Sequence, residues 1–153
     1  MRRLDRGMKA ILFALLVGLL MVGCGEDAKN GIRTSTRYWE NGHKAQEATY
    51  KDGKMEGLYI EWDENGQKRA EGKMKDGKRE GLWISWLENG HKSAESNFKD
   101  GERDGLSTWW YENGQKKSEV NFKDGKRDGL WISYNEDGTE LFRTTIKDGE
   151  IVD

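Results

Sequence analysis

Beyond residue 33, short runs rich in Trp, Tyr, Phe, Ile and Leu alternate with turns built on glycine. One stretch reads GLWISWLENG from Gly81 to Gly90 and continues HKSAESNFKDG from His91 to Gly101. Aromatic and β-branched runs between glycine turns predict hairpins, and no stretch here keeps a helical period over three turns. The markers recur in step. Asn-Gly ends at Gly42, Gly66, Gly90 and Gly114, with Asp-Gly at Gly138; Lys-Asp-Gly ends at Gly53, Gly77, Gly101, Gly125 and Gly149; a further glycine recurs at Gly57, Gly81, Gly105 and Gly129. All three share a period of 24 residues. Residues 34–153 therefore predict five β-hairpin units in an all-β, elongated antiparallel meander, about ten strands and about 50 Å long at roughly 4.8 Å per strand.

Register decides which side chains share a face. A two-residue Asn89-Gly90 loop would set Ile84 opposite Glu95. A three-residue loop, with Gly90 left-handed as a bulge, sets Ile84 opposite Ala94 and Leu82 opposite Ser96. The same choice at Lys99-Asp100-Gly101 sets Ala94 opposite Leu106. Only this choice separates apolar from charged positions, so bulged turns are expected at both ends. One face then carries Leu58, Ile60, Ala70, Met74, Leu82, Ile84, Phe98, Leu106, Val120, Phe122, Leu130 and Ile132, together with Trp62, Trp86, Trp110 and Tyr134 as the core face. The other carries Glu61, Asp63, Arg69, Glu71, Lys73, Ser85, Glu95, Lys117 and Glu119. It also carries Tyr59, Trp83, Trp109 and Trp131, a candidate binding stripe, since rings on a polar face are enriched at interfaces. The competing reading packs those rings on a recurring glycine and on Lys and Arg stems. A single layer cannot cover its apolar face from both sides, so the sheet curls into a trough or pairs with a second copy.

The amino terminus has a different character. Arg2, Arg3, Arg6 and Lys9 precede the apolar run Ala10 to Val22, which is too short to span a bilayer and fits a secretory signal. Its end, Met21-Val22-Gly23-Cys24, resembles a bacterial lipobox. That resemblance implies cleavage before Cys24 and lipidation of its thiol, with Met21 where Leu is usual. Residues 1–23 are thus expected to be a lipoprotein signal peptide and 24–33 a polar tether. Gly25 after the Cys, by resemblance to enterobacterial sorting, implies the outer membrane where the cell has one. Met8 is an alternative start.

Composition sharpens this. Hydrophobic residues make up 34% and charged residues 35%, yet there are seven Trp, five Tyr and four Phe, too many for a disordered tail. The formal net charge of −2 argues against a nucleic-acid partner. The single Cys excludes a disulfide scaffold and a cysteine zinc cage. No cofactor is indicated.

The pattern G-L-W-x-x-W/Y-x-E-N-G-x-K…F-K-D-G-K-x-x-G resembles the variant MORN repeat of bacterial proteins. Trp62-Asp63-Glu64-Asn65-Gly66-Gln67-Lys68 and Phe122-Lys123-Asp124-Gly125-Lys126-Arg127-Asp128-Gly129 carry it most closely. The resemblance implies an extended meander used for protein contacts, lipid contacts or spacing. It also brings an antitoxin label, which an exported, lipid-anchored chain is poorly placed to fulfil in the cytosol. Leu141, Phe142 and Arg143 in the last unit, and Arg33 in place of the first unit's glycine, depart from the pattern and read as caps.

Candidate chemistry is sparse. His43 and His91 stand about 19 Å apart, too far for one metal ion, and read as exposed turn-exit residues. The row Glu47, Glu71, Glu95 and Glu119 repeats at about 10 Å and reads as structural rungs paired with Lys or Arg across strands. Asp63-x-Asn65-Gly66 lacks the glutamate of a calcium loop, since Gly72 stands in its place. The chain therefore reads as a non-enzymatic, lipid-anchored module for protein binding or scaffolding at the cell envelope. The alternatives are a cell-wall glycan-binding module, or an antitoxin or immunity partner.

Overall fold

The computed structural model describes residues 19–25 and 31–152. Among the described residues, twelve antiparallel strands follow one another in sequence order in a single sheet. They are β1 (Leu19–Gly25), β2 (Ile32–Trp39), β3 (Lys44–Lys51), β4 (Lys54–Trp62), β5 (Lys68–Lys75), β6 (Lys78–Trp86), β7 (Lys92–Lys99), β8 (Glu102–Trp110), β9 (Lys116–Lys123), β10 (Lys126–Tyr134), β11 (Glu140–Lys147) and β12 (Glu150–Ile151). Strands β2 to β11 are the five expected hairpins. Strand β1 adds an edge, with Cys24 opposite Ser35, and β12 adds a two-residue edge against Ile146 and Lys147.

The Asn-Gly turn forms as expected. Gly90 sits at φ +81°, its N–H donates to Leu87 O at 2.9 Å, and Leu87 N–H donates to His91 O at 2.8 Å. The register beyond it does not follow. Ser85 faces Ala94 while Trp86 faces Lys92, so Ser93 is an extra residue on β7. This second bulge cancels the first, and Ile84 faces Glu95 after all. The Lys-Asp-Gly turn is not bulged either. Asp100 at φ +51° and Gly101 at φ +92° make a two-residue turn with both central residues left-handed, and Lys99 faces Glu102. Its correction comes three residues later. Asn97 stands alone between the pairs Phe98–Arg103 and Ser96–Ser107, opposite the three residues from Asp104 to Leu106. Gly105, at φ +100°, supplies the left-handed turn of that excursion.

These shifts exchange the cross-strand partners. Along one face run Ala48, Tyr59, Gly72, Trp83, Ser96, Ser107, Val120, Trp131 and Thr144. Along the other run Glu47, Ile60, Glu71, Ile84, Glu95, Thr108, Glu119, Ile132 and Arg143. Ala70, Met74, Phe98, Val120 and Phe122 therefore join Trp83, not Ile84. Glu71, Lys73, Glu95 and Glu119 join the isoleucines, not the tryptophan stripe. Burial follows the exchange. Ala48 is 1% exposed, Val120 4%, Trp83 6% and Ser107 0%, all on the Trp83 face. On the other face only Ile60, Ile132 and Thr108 are buried, and Trp62, Trp86, Trp110 and Tyr134 are half-buried. Both faces are partly self-covered, but the expected core face is the less buried one.

Candidate interaction surfaces

Of the four rings in the candidate binding stripe, Trp83 is buried, and Tyr59, Trp109 and Trp131 are half-buried. The Trp83 indole lies flat on Gly72, where a Cβ would come within 2.3 Å of the ring. Its Nε1–H donates to Lys73 O at 3.0 Å. The Arg79 guanidinium covers the ring at 4.5 Å, and Tyr59 and Phe98 close its sides with centroids at 5.5 and 6.3 Å. Trp131 repeats the arrangement, with Arg127 at 4.5 Å, Phe142 edge-on at 4.8 Å and Nε1–H donating to Ser118 Oγ. The Tyr59 hydroxyl donates to Glu61, and burial, reinforced by that bond, pushes its pKa well above the ordinary tyrosine value. The fourth unit exchanges positions: Ser107 takes the place of Trp83, and Trp109, two residues on, stacks on Phe122 and Arg103. Ser107 Oγ is left buried and without a hydrogen-bond partner. The glycine under Trp83 is therefore not a recurring turn glycine but Gly72, which neighbouring units replace by Ala48, Ser96, Val120 and Thr144.

The opposite face is ordered by ion pairs. Lys44, Lys68 and Lys116 reach Glu47, Glu71 and Glu119 at 2.6, 2.7 and 2.6 Å, and Lys92 pairs with Glu95. Residues three apart on a regular strand point to opposite faces. The extra residue between them, Ala45, Arg69, Ser93 or Lys117, brings each pair to one side. The partners expected across strands are thus on the same strand. The Lys44 and Lys92 ammonium groups also sit over the Trp62 and Trp110 rings, at 5.5 and 5.9 Å. Tyr134 donates to Glu119 Oε2 at 2.7 Å, which together with burial pushes the phenol up to about 12. Burial alone would raise Glu119; hydrogen bonds from Lys116 and Tyr134 outweigh it and hold the carboxyl below its ordinary value. Beside these pairs stands a row that the sequence reading placed in the core: Leu58 and Leu82 are 50% exposed and Leu106 is 44% exposed.

Both turn edges are stitched from unit to unit. On one, His43 and His91 are exposed but not idle, since each Nδ1 bonds the carbonyl oxygen of the next turn, Glu64 O at 2.6 Å and Glu112 O at 2.8 Å. Asn41 and Asn113 donate to the same next-turn carbonyl position, at 2.6 and 2.7 Å. Asp63 acts as a turn acceptor, its Oδ1 taking Asn65 and Gln67 N–H at 2.9 Å. On the other edge, Gly77, Gly101 and Gly125 N–H donate to Met55, Arg79 and Arg103 carbonyls one unit back. No cluster of three or more His, Cys, Asp and Glu capable of holding a metal ion occurs among the described residues.

Between successive Asn-Gly turns the surface opens into hollows. One, of ≈ 610 Å³, is lined in part by Trp39, Glu61, Asp63, Glu64, Arg69 and Glu88. Another, of ≈ 430 Å³, is lined in part by Tyr111, Glu112, Lys117 and Glu136. The sequence reading missed them, although their signal is legible: the residue before each Glu-Asn-Gly (Trp39, Asp63, Leu87, Tyr111) varies while its neighbours repeat.

No curated protein matches the chain. The profile of the MORN repeat variant matches four successive stretches, residues 34–52, 55–76, 79–100 and 103–124, which together make up more than half of the sequence. With five hairpins of the same period in one open meander, the chain belongs to the MORN repeat variant family.

Proposed function

We propose that this protein is a non-catalytic docking module, anchored to the cell envelope by lipid on Cys24, that binds another protein along its leucine-bearing face. MORN repeats generally bind proteins or membranes and carry no catalysis, which sets the class. The observation that carries the reading is the row Leu58, Leu82 and Leu106, one leucine per unit, each 44–50% exposed. Adjacent members lie about 10 Å apart, two strands along. Large apolar side chains left out of a packed layer in a regular row mark an interaction surface more than scattered ones do. The acids beside them are already ion-paired within the chain, so a partner need not compensate bare charge there.

Lipidation rests on the basic start, the apolar run and Gly23-Cys24. Cleavage before Cys24 would remove Leu19 to Gly23 from β1 and leave only Cys24 and Gly25 beside β2, opposite Ser35 and Thr34. The glycan alternative needs an accessible ring stripe, and the burial of Trp83 under Arg79 withdraws one of its four rings. The test is native extraction from membranes followed by sedimentation. The wild-type chain should travel in an assembly larger than one protomer. The Leu58→Ser, Leu82→Ser, Leu106→Ser triple variant should travel as a lone protomer with an unchanged melting temperature. A wild type that travels alone, or a triple variant that keeps the assembly, contradicts the proposal.

A further inference from the structure

The hollows along the Asn-Gly edge follow one plan, and one of them lacks a part. In the fourth unit Tyr111 donates its hydroxyl to Tyr134 O at 2.9 Å, and the Lys117 ammonium sits over its ring at 5.5 Å. Glu112 and Glu136 line the same hollow. This is a small cationic site that the chain fills with its own lysine. Three units earlier, Trp39 stands at the Tyr111 position and makes the matching cross-unit bond, Nε1–H to Trp62 O at 3.1 Å. Glu64, the counterpart of Glu136, again lines the wall. The Lys117 position, however, is Ala45. The aromatic wall and the carboxylate are present and the ammonium is not.

The charge around this hollow points the same way. Glu61, Asp63, Glu64 and Glu88 line it against a single cation, Arg69, which reaches Glu88 at 3.5 Å. Asp63 commits Oδ1 to two turn amides, and its Oδ2 is shielded from water with no hydrogen-bond partner. A carboxylate so placed leaves local negative charge that solvent does not screen. An indole face attracts a cation more strongly than a phenol does, and ≈ 610 Å³ stands open here, against ≈ 430 Å³ left beside Lys117 in the fourth unit.

We propose that this hollow binds an alkylammonium group over the Trp39 ring, in the place that Lys117 takes over Tyr111. The group is a free amine or the lysine side chain of a partner. The site stands apart from the leucine row and survives if that row binds nothing.

The test follows the Trp39 indole N–H by nuclear magnetic resonance, using the full chain in a neutral detergent. n-Butylammonium is titrated at constant ionic strength, with n-butanol as the uncharged control. The expected result is a saturating shift with the amine and none with the alcohol. Ala45→Lys supplies the missing ammonium and should weaken the response at least tenfold. Arg69→Ser removes the resident cation, placing the residue found at Ser93, and should strengthen it severalfold. Lys117→Ala should open a second site, read as a new response of the Tyr111 ring. Tighter binding of acetyl-Gly-Lys-Gly-amide than of n-butylammonium assigns the ligand to a partner lysine; the reverse order assigns it to a free amine. No shift, a shift equalled by n-butanol, or a shift untouched in all three variants overturns the proposal. The exposed Arg69 and Lys117 positions keep the test decisive if Ala45→Lys, at a buried site, fails to fold.

Discussion

Trp83 and Gly72 should behave as one packing unit. Trp83 is 6% exposed, and its indole occupies the space that a side chain at Gly72 would need. Truncating a buried Trp to Ala costs about 3–5 kcal/mol. At roughly 3–5 °C per kcal/mol for a domain of this size, Trp83→Ala should lower Tm by about 10–25 °C. Gly72→Ala places a Cβ 2.3 Å from the ring, an overlap that must be relieved by moving the indole off Lys73 O, at a cost of about 1–3 kcal/mol. The two effects are not additive. In the Trp83→Ala background the added methyl meets no ring, and Gly72→Ala becomes neutral or stabilises by up to about 1 kcal/mol, as removing a strand glycine does. The coupling should therefore reach about 1–4 kcal/mol. The assay is a double-mutant cycle by urea denaturation of the full chain in detergent, followed by far-ultraviolet circular dichroism. A Gly72→Ala variant as stable as wild type, or one equally destabilising in both backgrounds, would refute the stacking of Trp83 on Gly72.

Other consequences can be checked separately. Gly90→Val should cost about 1–2 kcal/mol through backbone strain alone, because a Cβ there meets nothing within 4 Å; an unchanged melting temperature would sink the left-handed assignment. Tyr134 is held protonated by its bond to Glu119 and by burial, up to about 12 against an ordinary 10.0. Its contribution to stability is thus complete below pH 10 and lost as pH rises toward 12, and Tyr134→Phe should flatten the fall in stability across that window. The same variant takes a hydrogen bond from Glu119, whose pKa should rise in a carboxyl resonance titration. Cys24→Ser should move the protein out of the lipidated membrane fraction, and equal processing and membrane retention would contradict lipidation.

The repeat was legible because its glycines are set by backbone need. The Asn-Gly turn requires the left-handed Gly90 and the Lys-Asp-Gly turn the left-handed Gly101, so both recur in phase whatever the side chains do. The faces were not legible, and the reason is physical. The alternation of a strand separates charged from apolar residues only where the charges are left unpaired. In the folded chain Glu95 lies directly opposite Ile84, because Lys92 neutralises it from the same strand. That pairing exists only because Ser93 is an extra residue, and a one-residue bulge leaves no mark in a hydrophobic pattern. Ser96, set opposite Leu82 by the bulged-turn register, instead faces Trp83, and Gly72 is the floor on which the Trp83 ring lies. The candidate surfaces were half visible. The recurring leucines stand out in the sequence, but their pattern points to the core, whereas the Trp39–Ala45 departure from Tyr111–Lys117 acquires meaning only with the turns stacked.

Site-specific photocrosslinking in intact cells tests the docking claim most directly. p-Benzoylphenylalanine replaces Leu82 in one strain and Ser85, on the other face of the same strand β6, in a second. Illumination should give a discrete adduct from position 82 and none from position 85, its mass naming the partner or, at twice the protomer, a second copy. Equal adducts from both positions, or adducts from position 85 alone, would contradict the assignment of the leucine-bearing face as the docking surface.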